Sequence, residues 1–193
     1  MTIDKLFGFL SGFYPLSDDL KKYLTNVTLK EHYMPHQVIH SEGQTPQKIW
    51  FILEGCAMNY ILKEERKIPY RFWYKGEIIA SVYSFIRLLP DDGYIELLEE
   101  SILISISYDH MEYALKTFSE TEKLARLYIS YSFHLQEIQM KMFTVSSAKE
   151  RYEYLNVTYP SIFRNVQSDY IAAYLGISRK TLTRLRTSRG KDR

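Results

Sequence analysis

Residues 168–187 read SDYIAAYLGISRKTLTRLRT, and their pattern predicts two short helices joined by a tight turn. Ile171, Ala172 and Leu175 are spaced to form the inner face of the first helix. A bulky side chain in place of Ala172 would hold the two helices apart. Gly176 falls where the chain must turn sharply, a position that favours a residue without a Cβ.

The second helix of the pair is predicted to begin at Ser178, whose hydroxyl can accept a hydrogen bond from a free backbone N–H. Leu182 and Leu185, three residues apart, would hold this helix to the first. Its other face carries cations and hydroxyls: Arg179, Lys180, Thr183, Arg184 and Arg186. A helix with one apolar edge and one cationic edge can enter a DNA major groove, so the stretch is interpreted as a helix-turn-helix. The alternative is a helical hairpin whose basic face is simply solvated.

The charge of the chain is unevenly distributed. Residues 146–193 contain ten Lys or Arg against four Asp or Glu, whereas the preceding residues contain fifteen against nineteen. A total of +2 therefore conceals a basic C-terminal segment. Such a segment suits a polyanionic partner.

Composition limits the class of protein. With 193 residues, 46% hydrophobic and 25% charged, the chain is typical of a globular protein in solution. No apolar run reaches the length of a membrane span, and the first twenty residues lack the features of a signal peptide. Their short apolar run is predicted to form an amphipathic helix packed on a domain. The single Cys56 excludes an internal disulfide and a Cys-ligated iron–sulfur cluster within one chain. We expect a cytoplasmic protein without a cofactor or a membrane partner.

The region from about residue 27 to residue 107 contains short β-like runs separated by turn residues. The predicted strands are 37–40, 48–53, 57–62, 69–74, 77–81, 94–98 and 102–107. Several of them alternate apolar and polar residues or are rich in aromatic and β-branched residues. Many short strands at near-regular spacing predict an antiparallel sandwich or barrel.

A long helix is predicted over residues 119–145, opened by a capping box of Ser119 and Glu122. Apolar residues recur along it in steps of four and three: Leu124, Tyr128, Tyr131, Leu135, Ile138, Met142 and Val145. This spacing is that of a coiled coil and indicates self-association. The alternative is a helix that lies against its own barrel, which part of the stripe is expected to do.

The order of these parts resembles the catabolite-activator/fumarate-nitrate-reduction (Crp/Fnr) family of bacterial transcription regulators. MPHQVIHSEGQTPQKIWFILEGCAMNYI is similar to the early strands of that family, with Gly43 and Gly55 at two turns. KGEIIA, with Gly76 and Glu77, resembles the Gly-Glu step of the family's phosphate-binding cassette. The most specific match is AKERYEYLNVTYPSIFRNVQSDYIAAYLGISRKTLTRLR, which resembles the C-terminal domain of many members.

The resemblance implies an α+β fold in three parts. Residues 1–118 would form an antiparallel β-barrel of the double-stranded β-helix or jelly-roll type, like a cyclic-nucleotide-binding domain. Residues 119–145 would form a dimerisation helix, and residues 146–193 a winged helix-turn-helix. The implied partners are double-stranded DNA, a second copy of the chain and RNA polymerase.

The resemblance also implies roles for side chains of the second helix. Arg179 and Arg184 fall on positions that touch bases or neighbouring phosphates in the family, and a guanidinium can bind guanine O6 and N7 together. Lys180 stands where the founding member has a glutamate that reads cytosine, so the half-site should differ there. Further expected contacts come from Ser178, Thr181 and Thr183, and Arg186 would add attraction to the DNA backbone together with Arg189, Lys191 and Arg193.

The effector site is predicted to be degenerate, with Gly76, Glu77 and Arg87 as its candidate residues. The Arg-Ser or Arg-Thr pair that holds the cyclic phosphate in cyclic-AMP-binding members is absent, and five carboxylates crowd residues 91–100. Because carboxylates repel a phosphodiester, we expect no response to cyclic AMP. The effector stays unidentified. The rival function is a small-molecule or cyclic-nucleotide sensor whose C-terminal module contacts protein instead of DNA.

Metal binding and catalysis are not expected. His32, His36 and His40 recur every four residues, but Pro35 favours a strand and turn that would point the rings in different directions. A group of carboxylates is interpreted as a solvated acidic patch: Glu96, Glu99 and Glu100. No nucleophile or positioned His accompanies these carboxylates, so the sequence predicts no enzyme.

Overall fold

The structure is a computed structural model that describes residues 3–160 and 162–189. Its strands are β1 Leu29–Tyr33, β2 Val38–His40, β3 Lys48–Glu54, β4 Cys56–Lys63, β5 Arg66–Tyr74, β6 Ile78–Ile79, β7 Tyr94–Leu97 and β8 Ser101–Ser107. Its helices are α1 Ile3–Ser11, α2 Asp18–Val27, α3 Val82–Arg87, α4 Tyr108–Thr117, α5 Ser119–Val145, α6 Ala148–Thr158, α7 Ile162–Asn165, α8 Ser168–Tyr174 and α9 Arg179–Arg189. The chain divides into two units, residues 1–59 with 72–132 and residues 60–71 with 133–193.

The strands form two four-stranded sheets, in the orders β1-β8-β3-β6 and β2-β7-β4-β5. The pairs β1/β8, β3/β8, β3/β6 and β2/β7 are antiparallel. The α+β class is confirmed, and of the predicted sandwich or barrel the two sheets form a sandwich, so the β-barrel that the resemblance implied is wrong. Each sheet ends in strands with a single neighbour, and β2 and β6 have only three and two residues, too few to bridge from one sheet to the other.

The core of the first unit follows from the alternation along β3. Trp50 and Ile52 face the interior of the sandwich, where Trp73 of β5 and Leu97 of β7 join them in one buried cluster. Phe51 points to the opposite face of the sheet. Burial on both faces explains why KIWFILE is apolar with little alternation.

Helices cover the outer face of the β1-β8-β3-β6 sheet. Leu6 of α1 packs on Phe51 and Ile104 in a second buried cluster, which confirms the predicted N-terminal amphipathic helix. Leu20 and Leu24 of α2 form a third cluster with residues of β8 and α5. Of the helices and strands in this unit, β1, α2, α3 and α4 were not predicted.

Serine hydroxyls cap several helices, although the predicted cap of α5 differs. Ser119 is already the first residue of α5, so it does not serve as the N-cap. A capping box is present instead at α6, where the Ser147 hydroxyl accepts from the Glu150 N–H and the Glu150 carboxylate accepts from the Ser147 N–H.

The second unit is mainly helical. In the described residues 146–160 and 162–189 the regular elements are the four helices α6–α9, so no segment there forms the β-hairpin that a wing needs. The predicted winged form is therefore not observed in that part of the chain. Residues 1, 2, 161 and 190–193 lie outside the described part of the chain. Within the described part, no helix is long and apolar enough to cross a membrane.

Candidate nucleic-acid interface

The turn between α8 and α9 is tight because Gly176 adopts a left-handed conformation, with φ of +65°. The Ile177 N–H donates to the Ala172 carbonyl at 3.0 Å, which closes the end of α8. The Ser178 hydroxyl then accepts from the Thr181 N–H at 3.1 Å and opens α9. The predicted turn and the predicted cap at Ser178 are both confirmed.

The two helices are held together by the apolar residues that their spacing predicts. Ile171, Ala172 and Leu175 of α8 are buried, and Leu182 of α9 is 1% exposed. Leu185 is half-buried. This arrangement fixes which face of α9 is left to solvent.

Among the α9 side chains that the structure describes, three cations lie on the exposed face. The Arg179 side chain is 70% exposed and its guanidinium lies 3.3 Å from the Asp169 carboxylate. Lys180 and Arg184 are exposed and make no hydrogen bond or ion pair with any residue that the structure describes. These two cations are therefore available to an anionic partner.

The hydroxyls predicted to contact DNA already have local partners. Ser178 and Thr181 place their hydroxyl oxygens 2.9 Å apart, and Ser178 also caps α9. The Thr183 hydroxyl donates to the Arg179 carbonyl at 3.0 Å. Their remaining lone pairs could accept only from a base amino group, whereas a contact to a phosphate oxygen needs a hydroxyl proton that is not already donated.

Arg186 does not lie on the outward face where the sequence placed it. It is half-buried, its guanidinium donates to the Ser168 hydroxyl at 2.9 Å, and it lies 5.4 Å from the centre of the Phe163 ring. Arg186 follows Leu182 by one helical turn and so lies on the packed face of α9. The predictions for Arg189, Lys191 and Arg193 fall on the Arg189 side chain and on residues 190–193, which lie outside the described part of the chain.

Arg151 was missed in the sequence. Its guanidinium donates to the Leu175 carbonyl at 3.0 Å and to the Ser146 carbonyl at 2.7 Å, and it lies 5.8 Å from the centre of the Phe143 ring. One side chain thus connects the residue that follows α5 with the end of α8. Cations commonly pair with the last carbonyls of a helix, but sequence spacing does not say which helix end lies nearby.

The candidate effector residues do not form a joint site. Gly76, with φ of +87°, makes the turn from β5 to β6, and the Glu77 carboxylate accepts from the Tyr74 N–H at 2.7 Å. Arg87 is exposed at the end of α3, with no hydrogen bond or ion pair to another described residue.

The carboxylates that follow are more buried than the sequence indicated. Glu96 is 2% exposed and lies 3.2 Å from Nδ1 of His36, so the prediction that it belongs to a solvated patch is wrong. Asp91 accepts from the Ser81 hydroxyl and lies 3.5 Å from Nε2 of the buried His40. His36 and His40 thus have separate acidic partners, and no cluster of metal-ligating side chains occurs in residues 3–160 and 162–189.

His40 should make the stability of the sandwich depend on pH. Burial lowers the pKa of His40 below its ordinary value of 6.5, and the nearby Asp91 carboxylate only partly opposes this. The neutral ring therefore stabilises the fold above pH 6.5, and this contribution is lost as the pH falls through the lowered pKa. We expect the free energy of unfolding to decrease from pH 7 to pH 5, and to decrease less in His40→Gln.

The exposed His32 provides the matched control for this measurement, made by urea unfolding at each pH. His32→Gln should keep the pH dependence of the unchanged protein. If His40→Gln keeps it as well, the buried ring is not its source.

The residues predicted for dimerisation lie along α5: Leu124, Tyr128, Tyr131, Leu135, Ile138 and Met142. Leu124 is buried in the core of the first unit, and the Tyr128 hydroxyl donates to the Ile78 carbonyl at 3.0 Å. These two residues pack within their own chain, as the alternative interpretation allowed. Tyr131 is exposed, and the three members that follow it are half-buried.

Comparison with known proteins shows a family model and solved structures that are similar to this chain. Residues 30–118 match the family model of the cyclic nucleotide-binding domain. The structure of FixK2 from Bradyrhizobium japonicum is similar, with 16% sequence identity, a TM-score of 0.68 and 86% of each chain covered. A protein from Eubacterium rectale described as a transcriptional regulator of the Crp/Fnr family has 18% identity and a TM-score of 0.69, over 90% of this chain and 85% of that one.

The chain has a Crp/Fnr-like fold. The catabolite activator protein of Thermus thermophilus extends the likeness to 95% of this chain and 87% of its own, with 13% identity and a TM-score of 0.57. No curated protein matches the sequence. The resemblance expected from the sequence is confirmed, and at such low identities it concerns the fold.

Within the Crp/Fnr-like fold, the two candidate regions differ in character. The exposed face of α9 presents Lys180 and Arg184 without internal partners. The turn at Gly76 and Glu77 instead directs its carboxylate to its own backbone. The geometry therefore favours α9 as the functional surface.

Proposed function

We propose that the chain is a cytoplasmic transcription regulator that binds a near-palindromic DNA site as a homodimer. The observation that carries this proposal is the face of α9, where Lys180 and Arg184 are exposed and unpaired among the described residues. The surrounding segment is basic, with ten Lys or Arg against four Asp or Glu from residue 146 onward. A short helix that presents such cations fits a major groove and its phosphates.

The homodimer is supported by apolar residues on α5 that remain exposed in the single chain. Phe133 and Met140 are each 63% exposed and lie seven residues apart, so they share one face of the helix. Large apolar side chains at this spacing are typical of a helix that pairs with a second helix. A two-fold dimer would present two copies of α9 to successive major grooves.

A regulator that does not respond to cyclic AMP is supported by the first unit. Trp50 and Trp73 fill the interior of the sandwich, and the Glu77 carboxylate is engaged by the backbone of its own turn. Arg87 makes no hydrogen bond or ion pair with that turn or with any other described residue. We also propose RNA polymerase as the partner through which DNA binding would alter transcription.

Selection of bound duplexes from a random DNA pool tests the proposed function. We expect enrichment of sites with two inverted half-sites, their centres about 10 base pairs apart. If each protomer neutralises about three phosphates through its α9 cations, the affinity should fall about 10³-fold between 50 and 200 mM salt.

Two outcomes would contradict the proposal in different ways. Failure to enrich any sequence, together with weak dependence of binding on salt, would exclude a DNA-binding regulator. Enrichment of a single, unrepeated half-site would retain DNA binding and exclude the homodimer.

A further inference from the structure

A cavity of about 160 Å³ lies in the first unit, on the outer face of the β1-β8-β3-β6 sheet. Ile49 of β3 and Ile78 of β6 form its floor, and side chains of α1–α5 form its walls. Ile79, the neighbour of Ile78, points to the other side of the sheet, into the core of the sandwich. The cavity is therefore distinct from the sandwich interior and from the turn at Gly76.

The walls of the cavity are almost entirely apolar. Leu20 and Leu24 of α2 line one side, and Phe85 of α3, Met111 of α4 and Leu124 of α5 line others. Apolar walls of this kind hold water poorly, because a water molecule needs two to four polar partners. An uncharged organic molecule would gain the contacts that water cannot make.

One wall residue supplies an unused polar group. Thr121 of α5 is 7% exposed, lines the cavity, and has a buried hydroxyl without a hydrogen-bond partner among the described residues. A buried hydroxyl without a partner costs free energy. A ligand with one hydrogen-bonding group at this wall is expected to satisfy it, which would place the polar end of an occupant beside Thr121.

Size and charge restrict the class of occupant. An apolar protein cavity of about 150 Å³ is known to bind benzene, so this cavity is large enough for one small ring. The Glu112 carboxylate lines the cavity with the exposed Ile86 and Ile129, and it lies 3.3 Å from the Lys116 ammonium. The apolar walls disfavour an anion, because its charge would be desolvated without a partner inside the cavity.

We propose that this cavity binds a small, uncharged aromatic molecule that carries one hydroxyl group, with Thr121 as its hydrogen-bonding partner. The site is formed wholly by the first unit and does not require the proposed DNA binding. The apolar walls do not suit the charged phosphate of a cyclic nucleotide, so the ligand class differs from one.

Thermal unfolding of the full chain with benzene, phenol or benzoate tests this site. A ligand that binds only the folded state raises the unfolding midpoint in a saturable manner. We expect benzene and phenol to raise the midpoint and benzoate to leave it unchanged. Absence of a saturable rise with both neutral probes, or an equal rise with benzoate, would overturn the proposal.

Thr121→Val tests the polar contact without changing the size of the side chain. Titration calorimetry should show phenol binding weakened about tenfold, the value of one hydrogen bond, while benzene binding is retained. The isosteric change removes an unpaired hydroxyl, so the variant should fold. Equal phenol affinity in the two proteins would exclude Thr121 as the partner.

Ala125→Leu tests the location, since Ala125 lines the cavity and the larger side chain would fill it. The response to both neutral probes should be lost. Ala173→Leu, an exposed change on α8 in the second unit, is the matched control and should leave the response intact. A response that persists in Ala125→Leu would place the probes elsewhere and overturn the assignment. These titrations contain no DNA, so their failure would leave the proposed function untouched.

Discussion

Replacing Arg184 with Ala is expected to weaken binding to the selected DNA by about 1–3 kcal/mol per half-site, which is about 5- to 150-fold. Arg184 is exposed and has no hydrogen bond or ion pair among the described residues, so its removal should not destabilise α9. The loss should therefore be one of DNA affinity, with the unfolding midpoint unchanged. Titration of labelled duplexes at fixed salt measures it.

The pattern of the loss across DNA sequences separates two roles for Arg184. If its guanidinium reads a guanine, discrimination at one base-pair position should relax. If it contacts a phosphate, affinity should fall equally on all sequences and the salt dependence should become shallower.

Arg126→Ala provides the matched control, because Arg126 is an exposed arginine of α5 in the first unit. It removes the same charge from the chain at a position away from α9. Unchanged affinity in Arg184→Ala, or an equal loss in Arg126→Ala, would exclude α9 as the specific DNA contact.

Gly55→Ala is expected to destabilise the first unit by about 2–6 kcal/mol. Gly55 has φ of +109°, a conformation that a residue with a Cβ rarely adopts. A Cβ there would lie 2.9 Å from Cα of the fully buried Ser101, so part of the clash is with backbone that cannot rotate away. The cost combines backbone strain with overpacking.

Gly43→Ala separates these two causes. Gly43 has φ of +80°, but a Cβ there would meet nothing within 4 Å. It should cost about 1 kcal/mol, from the conformation alone. Urea unfolding of both variants measures the difference, and equal costs would show that the approach of Ser101 has no energetic weight.

The sequence predicted those elements whose burial or turn geometry follows from residues close together in the chain. The alternation in β8 and the apolar steps along α5 are such patterns, and both elements form close to their predicted bounds. The α8–α9 pair was also predicted, because Gly176 and Ser178 provide the turn and the cap within a few residues. Signals of this kind need no knowledge of distant parts of the chain.

Features that depend on distant partners were not predicted. Glu96 is buried and lies beside His36, a residue sixty positions earlier in the sequence. Arg186 packs inward because Ser168 and Phe163 are placed to receive it. A charged residue type suggests exposure, and only the tertiary structure shows that a partner overrides this tendency.

The incorrect prediction of a barrel instead of a sandwich also arose because strand closure depends on distant partners. Strand periodicity shows that residues alternate between two faces, but closure depends on whether the outermost strands find each other. The sequence pattern of β2 and β6 did not reveal how few residues pair there. Those short edges leave the sheets open.

The contacts of Arg151 restrict the rotation of α6 and α8 relative to the end of α5. Only two residues separate α5 from α6, and the guanidinium braces that junction to the Leu175 carbonyl. A rotation of the last turn of α5 would consequently displace α8, because Arg151 contacts both. The end of α5 and the end of α8 are therefore expected to move together, because one guanidinium holds both.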